Sequence, residues 1–587
     1  MSSSVNETAN SRWPSQVKYI VGNEACERFS YYGMRSILAG YITGTVLQGG
    51  LGQTADRSTE IIHTFVSVNY FTPLLGAWLS DKLFGRYQTI LWVSLLYCAG
   101  HGVLACSDFV GGVDGKMWCL FAGLTLIAFG AGGIKPCVSA FMGDQFKPEQ
   151  SHLLQKAYGA FYWSINLGSF FSFLVVPWVK NHHGYSWAFG VPGILMAIAT
   201  VIFWMGTKHY DHVPPSRETK SAGFFKVLWH GLKEPKEGKS FWEAARSRFS
   251  DREVDAAKSV LPILGVFALV PPFWSLFDQT NSTWVLQGKT MIPAVLGGTV
   301  LFGLILALAL VLLVLTILGK GTLVRWLFVA INGLVVLITG LRLILFLRGA
   351  FSPEGHNLVE FVAYAFSFGV AAAFLIVGVR GPLGLIRVLV GGQLFLAVTR
   401  ILLIREQILE LSFKIGPEEM QSANPLLVMI LVPMLTLLVY PRLGKWASPL
   451  RRMSYGMFLA AFSYVIVAGL QQRLEAGAQL SIAWQLLPYV VLTAAEVLVS
   501  TTGLEFAFRE AAPEMKSLIT SFWWLTVTAG NMLVAFITKF FSESSGNTSV
   551  TSGRFMMYAG LSFVVAILFG CATTFYRYRD KTAALGR

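Results

Sequence analysis

Apolar stretches long enough to cross a bilayer recur along almost the whole chain, and no other feature of the sequence limits its possible folds so severely. A helix needs about 20 such residues to span a hydrocarbon core of roughly 30 Å, where every backbone N–H and C=O must be satisfied within the protein. On that rule the chain holds about 16 spans. The first six cover 17 to 46, 60 to 84, 87 to 107, 117 to 143, 157 to 180 and 188 to 206. A polar stretch follows, then 257 to 287, then four at 291 to 318, 324 to 347, 358 to 379 and 383 to 404. The last five are 420 to 441, 452 to 472, 482 to 508, 516 to 540 and 555 to 577. Only 13% of the 587 residues are charged and 54% are hydrophobic, which excludes an ordinary soluble domain. The expected fold is an all-α polytopic membrane protein.

The net charge of +14 acts here as a topology signal and does not point to nucleic acid. Lys82 and Arg86, Lys147 and Lys156, the stretch from Lys208 to Lys258, Arg442 to Arg452, Arg509, and Arg577 to Arg587 fall in alternate connections. The excess of Lys and Arg on cytoplasmic loops puts these ends, and both termini, inside. Lys320, Arg325 and Arg380 fall inside on the same count. Residues 1–16 and 578–587 read as cytoplasmic tails, the first lacking the basic-then-apolar layout of a cleavable signal. In the 207–256 connection, Phe241, Trp242, Ala245 and Phe249 are spaced for one helical face, so this segment is either a helix on the inner membrane surface or a solvated linker. The six cysteines form no CxxC pair, and there is no HExxH, GxxxxGK[ST] or GxSxG. No enzyme, metal or cofactor is expected.

The first span nevertheless carries Glu24, Glu27, Arg28 and Arg35. Each charge costs about 2.5 to 3.5 kcal/mol at a membrane helix centre on insertion scales, so four of them require a reason. Positions 24, 27, 28, 31 and 35 share one helical face, which therefore meets either a wet cavity or an ion-pair cluster that orients helices. Other polar groups in the spans are His63 and Tyr70, Lys135, Tyr162 and Asn166, Asp278, and Glu496 and Glu505. A lone His is as readily a hydrogen-bonded core residue as a proton carrier, and Asp278 is as readily a helix-packing partner of an Arg. Lys135 calls for an anion, because a buried ammonium without one loses its charge; a ligand carboxylate meets that need.

Two patterns carry a family resemblance. GAWLSDKLFGRYQT, with Gly76, Asp81, Lys82, Gly85 and Arg86, resembles the loop motif of the major facilitator superfamily. EACERFSYYG at 24–33 and FYWSINLGS at 161–169 resemble the two signatures of proton-coupled oligopeptide transporters. GGIKPCVSAFMGDQF, STEIIHTF, FDQTNSTW and GLEFAFREAAPEMKS look like the animal di- and tripeptide transporters in particular.

The resemblance implies two six-helix bundles with about four extra inserted helices, importing di- and tripeptides with protons. It implies proton coupling by Glu24, Glu27, Arg28, His63 and Asp278. Lys135 and Arg35 would meet the peptide carboxylate, and Glu496, Asn166 and Asn424 its ammonium, with Tyr31, Tyr32, Tyr70, Tyr162, Trp274 and Trp523 lining side-chain pockets. The partners implied are peptides, protons and the lipid bilayer of a plasma or bacterial inner membrane, with a monomer as the functional unit. Bacterial members commonly carry Glu where this chain has Asp278, and often place two extra helices between the halves; here the extra helices follow the seventh span. A same-fold transporter of nitrate, histidine or another small solute, a non-transporting peptide sensor and a channel are the rival readings.

The expected organisation is a bundle at 17–206, a linker at 207–256, helix seven at 257–287, inserted helices at 288–415 and the rest of the second bundle at 416–577. The insertion is apolar nearly all round, with few charges such as Arg342, Arg387 and Arg400, as expected of helices outside a transport path.

Overall fold

A computed structural model describes residues 13–215, 223–233, 240–318, 321–349, 358–403, 405–410, 412–512, 515–545 and 549–576. The expected tails, apart from 13–16, lie outside these residues, as do Lys320 and the basic run from 577 onward.

Among the described residues each expected span holds helix. The first six are α1 (Val17–Thr43), α2 (Ala55–Phe71, continued by Pro73–Leu79), α3 (Arg86–Ala105), α4 (Gly112–Asp144), and α5 and α6, which share Ser151–Met205 and part at Gly184, whose φ of 83° no helix contains. Next, α7 is broken into Val260–Phe267, Pro271–Phe277 and Thr283–Gly288. The inserted helices are α8 (Gly298–Leu318), α9 (Gly321–Gly349), α10 (Leu358–Arg380) and α11 (Leu383–Leu403). The chain closes with α12 (Ala423–Met434), α13 (Pro449–Glu475), α14 (Leu486–Glu496, continued by Thr502–Glu510), α15 (Lys516–Ser545) and α16 (Ser552–Phe575). Among the described residues, eight helices qualify as spans by length and hydropathy alone. The 45°-bent pair Asp251–Phe267 and Pro271–Gly288 makes a ninth. By that measure α1 falls short, because five charged residues, Lys18, Glu24, Glu27, Arg28 and Arg35, lie within it.

Internal contacts divide the chain into two units, Met1–Ala294 with Ile415–Arg587, and Val295–Lys414. The first unit holds two six-helix bundles, the major facilitator arrangement. One apolar core gathers Ile37, Tyr97, Phe141, Phe189 and Phe203 from α1 to α6; the other gathers Phe267, Trp284, Tyr464, Tyr489 and Phe555 from α7 and α12 to α16.

Two local devices set up the interior. Where α2 crosses α4 the backbones nearly touch: a Cβ on Gly132 would lie 1.7 Å from Thr72 Oγ1, and one on Gly76 would lie 2.6 Å from Gly133 Cα. Small residues permit this approach, and it fixes the turn of α4 that carries Lys135. In α7, Pro271 and Pro272 remove two backbone donors, and a tight turn at Asp278–Asn281 interrupts the helix again, turning Asp278 toward α1.

The second unit has its own small core of Val324, Phe328, Ile386, Val390 and Leu394. Asn332 of α9 and Gln393 of α11 exchange amide hydrogen bonds at 3.2 and 2.8 Å, and Arg325 caps α10 through the carbonyls of Gly378 and Gly381, both at 2.9 Å. Strands β1 (Ala294–Gly297) and β2 (Ser412–Ile415) pair where the segment leaves and rejoins the chain.

The linker corrects one expectation. Phe241, Trp242, Ala245 and Phe249 do not share one helix, since Phe241–Arg246 ends before Phe249 and Asp251–Lys258 starts anew. Two capping boxes, Ser240 with Glu243 and Ser250 with Glu253, nucleate separate short helices, a signal that apolar spacing alone does not reveal. Ala245 is fully buried in the second bundle's core. A second correction concerns Glu505, which pairs with Arg452 at 2.7 Å on an exposed surface and is not embedded in the bundle.

Candidate functional site

The two bundles enclose a cavity of about 270 Å³. From the first bundle it is lined by Glu24, Arg28, Tyr32 and Arg35 of α1, Tyr70 of α2, Lys135 of α4, and Tyr162 and Asn166 of α5. From the second come Trp274 and Asp278 of α7, Asn424 of α12, Glu496 of α14 and Trp524 of α15. Residues far apart in sequence thus form a basic wall on one bundle and an acidic wall on the other.

Lys135 is the least satisfied of these groups. Among the described residues its Nζ is buried without a hydrogen-bond partner, and it lies 4.5 Å from the ring centre of Tyr31 and 4.0 Å from that of Tyr70. The two aromatic faces hold the ammonium in place by cation–π attraction but supply no counter-charge. Across the cavity, Glu496 accepts a 2.7 Å hydrogen bond from Asn424 Nδ2, which also reaches Thr493 at 3.2 Å. A π-helical turn, Val497–Thr501, follows Glu496 directly; such turns recur at functional sites because they redirect side chains.

The α1 face is an ion cluster that opens on a cavity, so both readings of its charges hold in part. Arg28 Nε lies 2.9 Å from Glu24 and 2.5 Å from Glu27. Glu24 and Arg28 reach the cavity, whereas Glu27 is fully buried behind it. Arg35 lines the cavity too, but its Nη2 is held by Asp278 Oδ1 at 2.7 Å. Asp278 is therefore the partner of an arginine on the opposite bundle. Its second oxygen takes a 2.7 Å hydrogen bond from Asn531 Nδ2, and Asn531 Oδ1 accepts at 2.7 Å from His63 Nδ1. Ser282 Oγ sits 2.8 Å from the other ring nitrogen of His63. Arg35, Asp278, Asn531, His63 and Ser282 form one continuous network across the interface.

Further bonds between the bundles gather at the same end: Lys180 with Glu418, Lys289 Nζ to Thr43 Oγ1 at 2.8 Å, Gln421 Nε2 to the Ser36 carbonyl at 3.1 Å, and Thr59 with Ser549 at 3.2 Å. The structure is closed where α1 ends and α2 begins.

Two pocket residues need correcting. Trp523 is 1% exposed, packed on Phe267 and Trp274 and against Gly503; its neighbour Trp524 faces the cavity and stacks on Tyr70 at 5.6 Å. Adjacent helical residues point about 100° apart, and a Trp doublet does not reveal the phase. Tyr31 stands one layer back, accepting from Asn69 Nδ2 at 2.9 Å and lying beneath Lys135. Asn531, Trp524, Lys180 and Glu418 escaped sequence reading. Asn531 left a signal, an isolated amide in the apolar run TAGNMLVAF, which marks a site in a membrane helix. Lys180 and Glu418 lie near span ends, where charges are ordinary.

A family model described as POT family matches residues 87–319 and 401–553. The chain belongs to the POT family. Among curated relatives of this POT chain, Peptide transporter family 1 of Drosophila melanogaster is 30% identical, covering 97% of this chain and 88% of its own. Solute carrier family 15 member 2 of Homo sapiens is 29% identical over 96% and 90%. Among solved structures, an auto inhibited POT family peptide transporter superposes with a TM-score of 0.69 at 31% identity, covering 97% and 98% of the two chains. The POT family transporter PepTSo gives 0.69 at 33% identity, over 96% and 98%. The fold is therefore that of POT family transporters, and the protein is a multi-pass membrane transporter.

Proposed function

We propose that this POT transporter imports di- and tripeptides by alternating access, driven by protons. The observation that carries the reading is Lys135, whose ammonium makes no hydrogen bond or ion pair among the described residues, in a cavity whose other wall presents Glu496. A zwitterionic peptide supplies the matching pair of charges, its carboxylate to Lys135 and its ammonium to Glu496 with Asn424 and Asn166. Such a site selects length through charge separation and tolerates many side chains, because Tyr32, Tyr162, Trp274 and Trp524 need only avoid clashes. An anion carrier has no use for a carboxylate on the facing wall, so nitrate fits poorly.

With both termini in the cytoplasm, the closed end is the outer one, and the structure is the inward-facing state. Opening outward breaks the Arg35–Asp278 pair and the His63 network, which frees Arg35 to join Lys135 on the peptide carboxylate. Protonation of Asp278 weakens the same contacts, so proton and peptide favour one conformational change. Glu24 and Glu27 hold Arg28 until a proton releases it. Each proton entering with the membrane potential contributes about 2.3 kcal/mol per 100 mV.

The test is uptake of a labelled dipeptide into proteoliposomes under an imposed potential and pH gradient, competed by a peptide panel, free amino acids and nitrate. Accumulation displaced only by di- and tripeptides is expected. Displacement by nitrate or single amino acids would replace the substrate assignment, and binding without accumulation would make the protein a sensor.

We propose a supporting role for the inserted helices. Replacing residues 298–411 by a short polar linker between β1 and β2, which already pair, is expected to leave peptide affinity within about two-fold, as for independent sites. If the shortened, folded chain binds no peptide, these helices belong to the site.

A further inference from the structure

The linker between the bundles contains a helix, Phe224–Lys233, whose exposed side chains have no part in the mechanism above. At 100° per residue its sequence FFKVLWHGLK divides into three faces. Phe224, Val227, Leu228 and Gly231 form the first, which packs into the core of the second bundle. Phe225, Trp229 and Leu232 form the second, and they are 63%, 69% and 65% exposed. Lys226, His230 and Lys233 form the third. One apolar face is enough to dock a helix on a protein, and here a second is left uncovered among the described residues.

The seat of the helix shows what covers that face. The rings of Phe224 and Phe225 both lie against Phe522 of α15, with centroids at 6.1 and 6.2 Å. Phe522 begins a stripe at helical spacing, continued by Leu525, Ala529, Met532, Phe536 and Phe540, and its last four members are exposed. In a membrane helix such a stripe faces lipid. The linker helix therefore lies at one end of a lipid-facing surface, and its uncovered face prolongs that surface. Its other sides are closed by linker residues: a Cβ on Gly231 would lie 2.9 Å from the Phe241 ring, and His230 meets Phe249 edge-on at 5.6 Å.

Charge identifies the lipid. The helix holds Lys226 and Lys233, both exposed, and no acidic residue. The described acids of the next two linker helices are engaged among themselves: Asp251 and Asp255 pair with Arg246 at 3.0 and 2.7 Å, and Glu243 and Glu253 close the two capping boxes. Tryptophan is favoured at the level of lipid headgroups, and lysines beside it reach phosphates while their stems stay on apolar surface.

We propose that Phe224–Lys233 is a membrane-surface site for anionic phospholipid. Phe225, Trp229 and Leu232 enter the boundary between headgroups and acyl chains, and Lys226 and Lys233 bind the phosphates. Lipid on the linker's side of the membrane thereby holds this end of the second bundle at the interface. The inference needs the membrane-spanning fold and not the peptide assignment.

The test places the full chain in nanodiscs of phosphatidylcholine, alone or with phosphatidylglycerol added. It follows hydrogen–deuterium exchange of the amides of residues 223–233, which reports local opening of the helix. With phosphatidylglycerol these amides should exchange up to about 30-fold more slowly, since each lysine near an anionic surface contributes about five-fold. Lys226→Gln with Lys233→Gln should remove the difference, and added salt should reduce it in the wild type by screening the surface charge. Trp229→Ser with Leu232→Ser should speed exchange in both membranes. All four side chains are exposed, so neither pair of substitutions opens the core. Equal wild-type exchange in the two membranes overturns the proposal, and that comparison requires no variant to fold. Slowing that survives Lys226→Gln with Lys233→Gln removes the lysines from the site. Unchanged exchange in Trp229→Ser with Leu232→Ser shows that the apolar face meets no lipid, and the proposal falls.

Discussion

Replacing Lys135 by alanine should weaken binding of a free-carboxylate dipeptide by about 2–3 kcal/mol, roughly 30- to 150-fold, the scale on which one partner of a buried charge pair is lost. The same substitution should change affinity for the C-terminally amidated dipeptide far less, because an amide offers the ammonium no charge to neutralise. The structure sharpens this expectation. Arg35, the other cation assigned to the carboxylate, is held by Asp278 in the present conformation, so Lys135 carries the interaction with little help. Binding is measured by calorimetry on the purified protein with the two ligands side by side. Equal losses for both would make Lys135 a structural residue that supports Tyr31 and Tyr70.

Glu27→Gln should abolish accumulation of peptide against its gradient while exchange between peptide pools continues. The side chain is fully buried beside Arg28, and glutamine keeps its shape but can take no proton. Arg28 retains Glu24 at 2.9 Å, so the helix keeps a partner for its guanidinium. One proton moving through 100 mV is worth about 2.3 kcal/mol, enough for roughly 50-fold accumulation, and the mutant ratio should fall to one. Proteoliposomes loaded with unlabelled peptide report exchange, and empty ones under an imposed potential report accumulation. Gradient-driven uptake at the wild-type level would remove Glu27 from the coupling path.

Much of the molecule was legible beforehand because a bilayer enforces simple rules. Charges in an apolar helix are costly, so Glu24, Glu27, Arg28, Lys135, Asp278 and Glu496 stood out, and all but Glu27 line the cavity. Asn166 stood among the polar groups of the spans and the family resemblance added Asn424, and both also line it. Helix phase was harder to read: Trp523 and Trp524 differ only in which face of α15 they occupy, and sequence spacing near a doublet does not separate them. Breaks within helices were equally hidden. The turn at Asp278–Asn281 and the π-helical turn after Glu496 depend on which backbone groups find partners in the fold.

The sequence by itself determined a polytopic helical bundle, its approximate spans, and which ionisable side chains had to meet water, a ligand or each other. These follow from free-energy costs that act residue by residue. Partnership was decided only by the tertiary structure. Asp278 could pair with any arginine, and the packing of α7 against α1 selected Arg35; His63 could be core or coupling residue, and the approach of α15 joined it to Asp278 through Asn531. The seating of Phe224 and Phe225 on Phe522 arose in the same way. A side chain's own chemistry fixes what it needs, whereas the helix crossings that bring distant residues within 3 Å depend on the whole core, which no local stretch of sequence specifies.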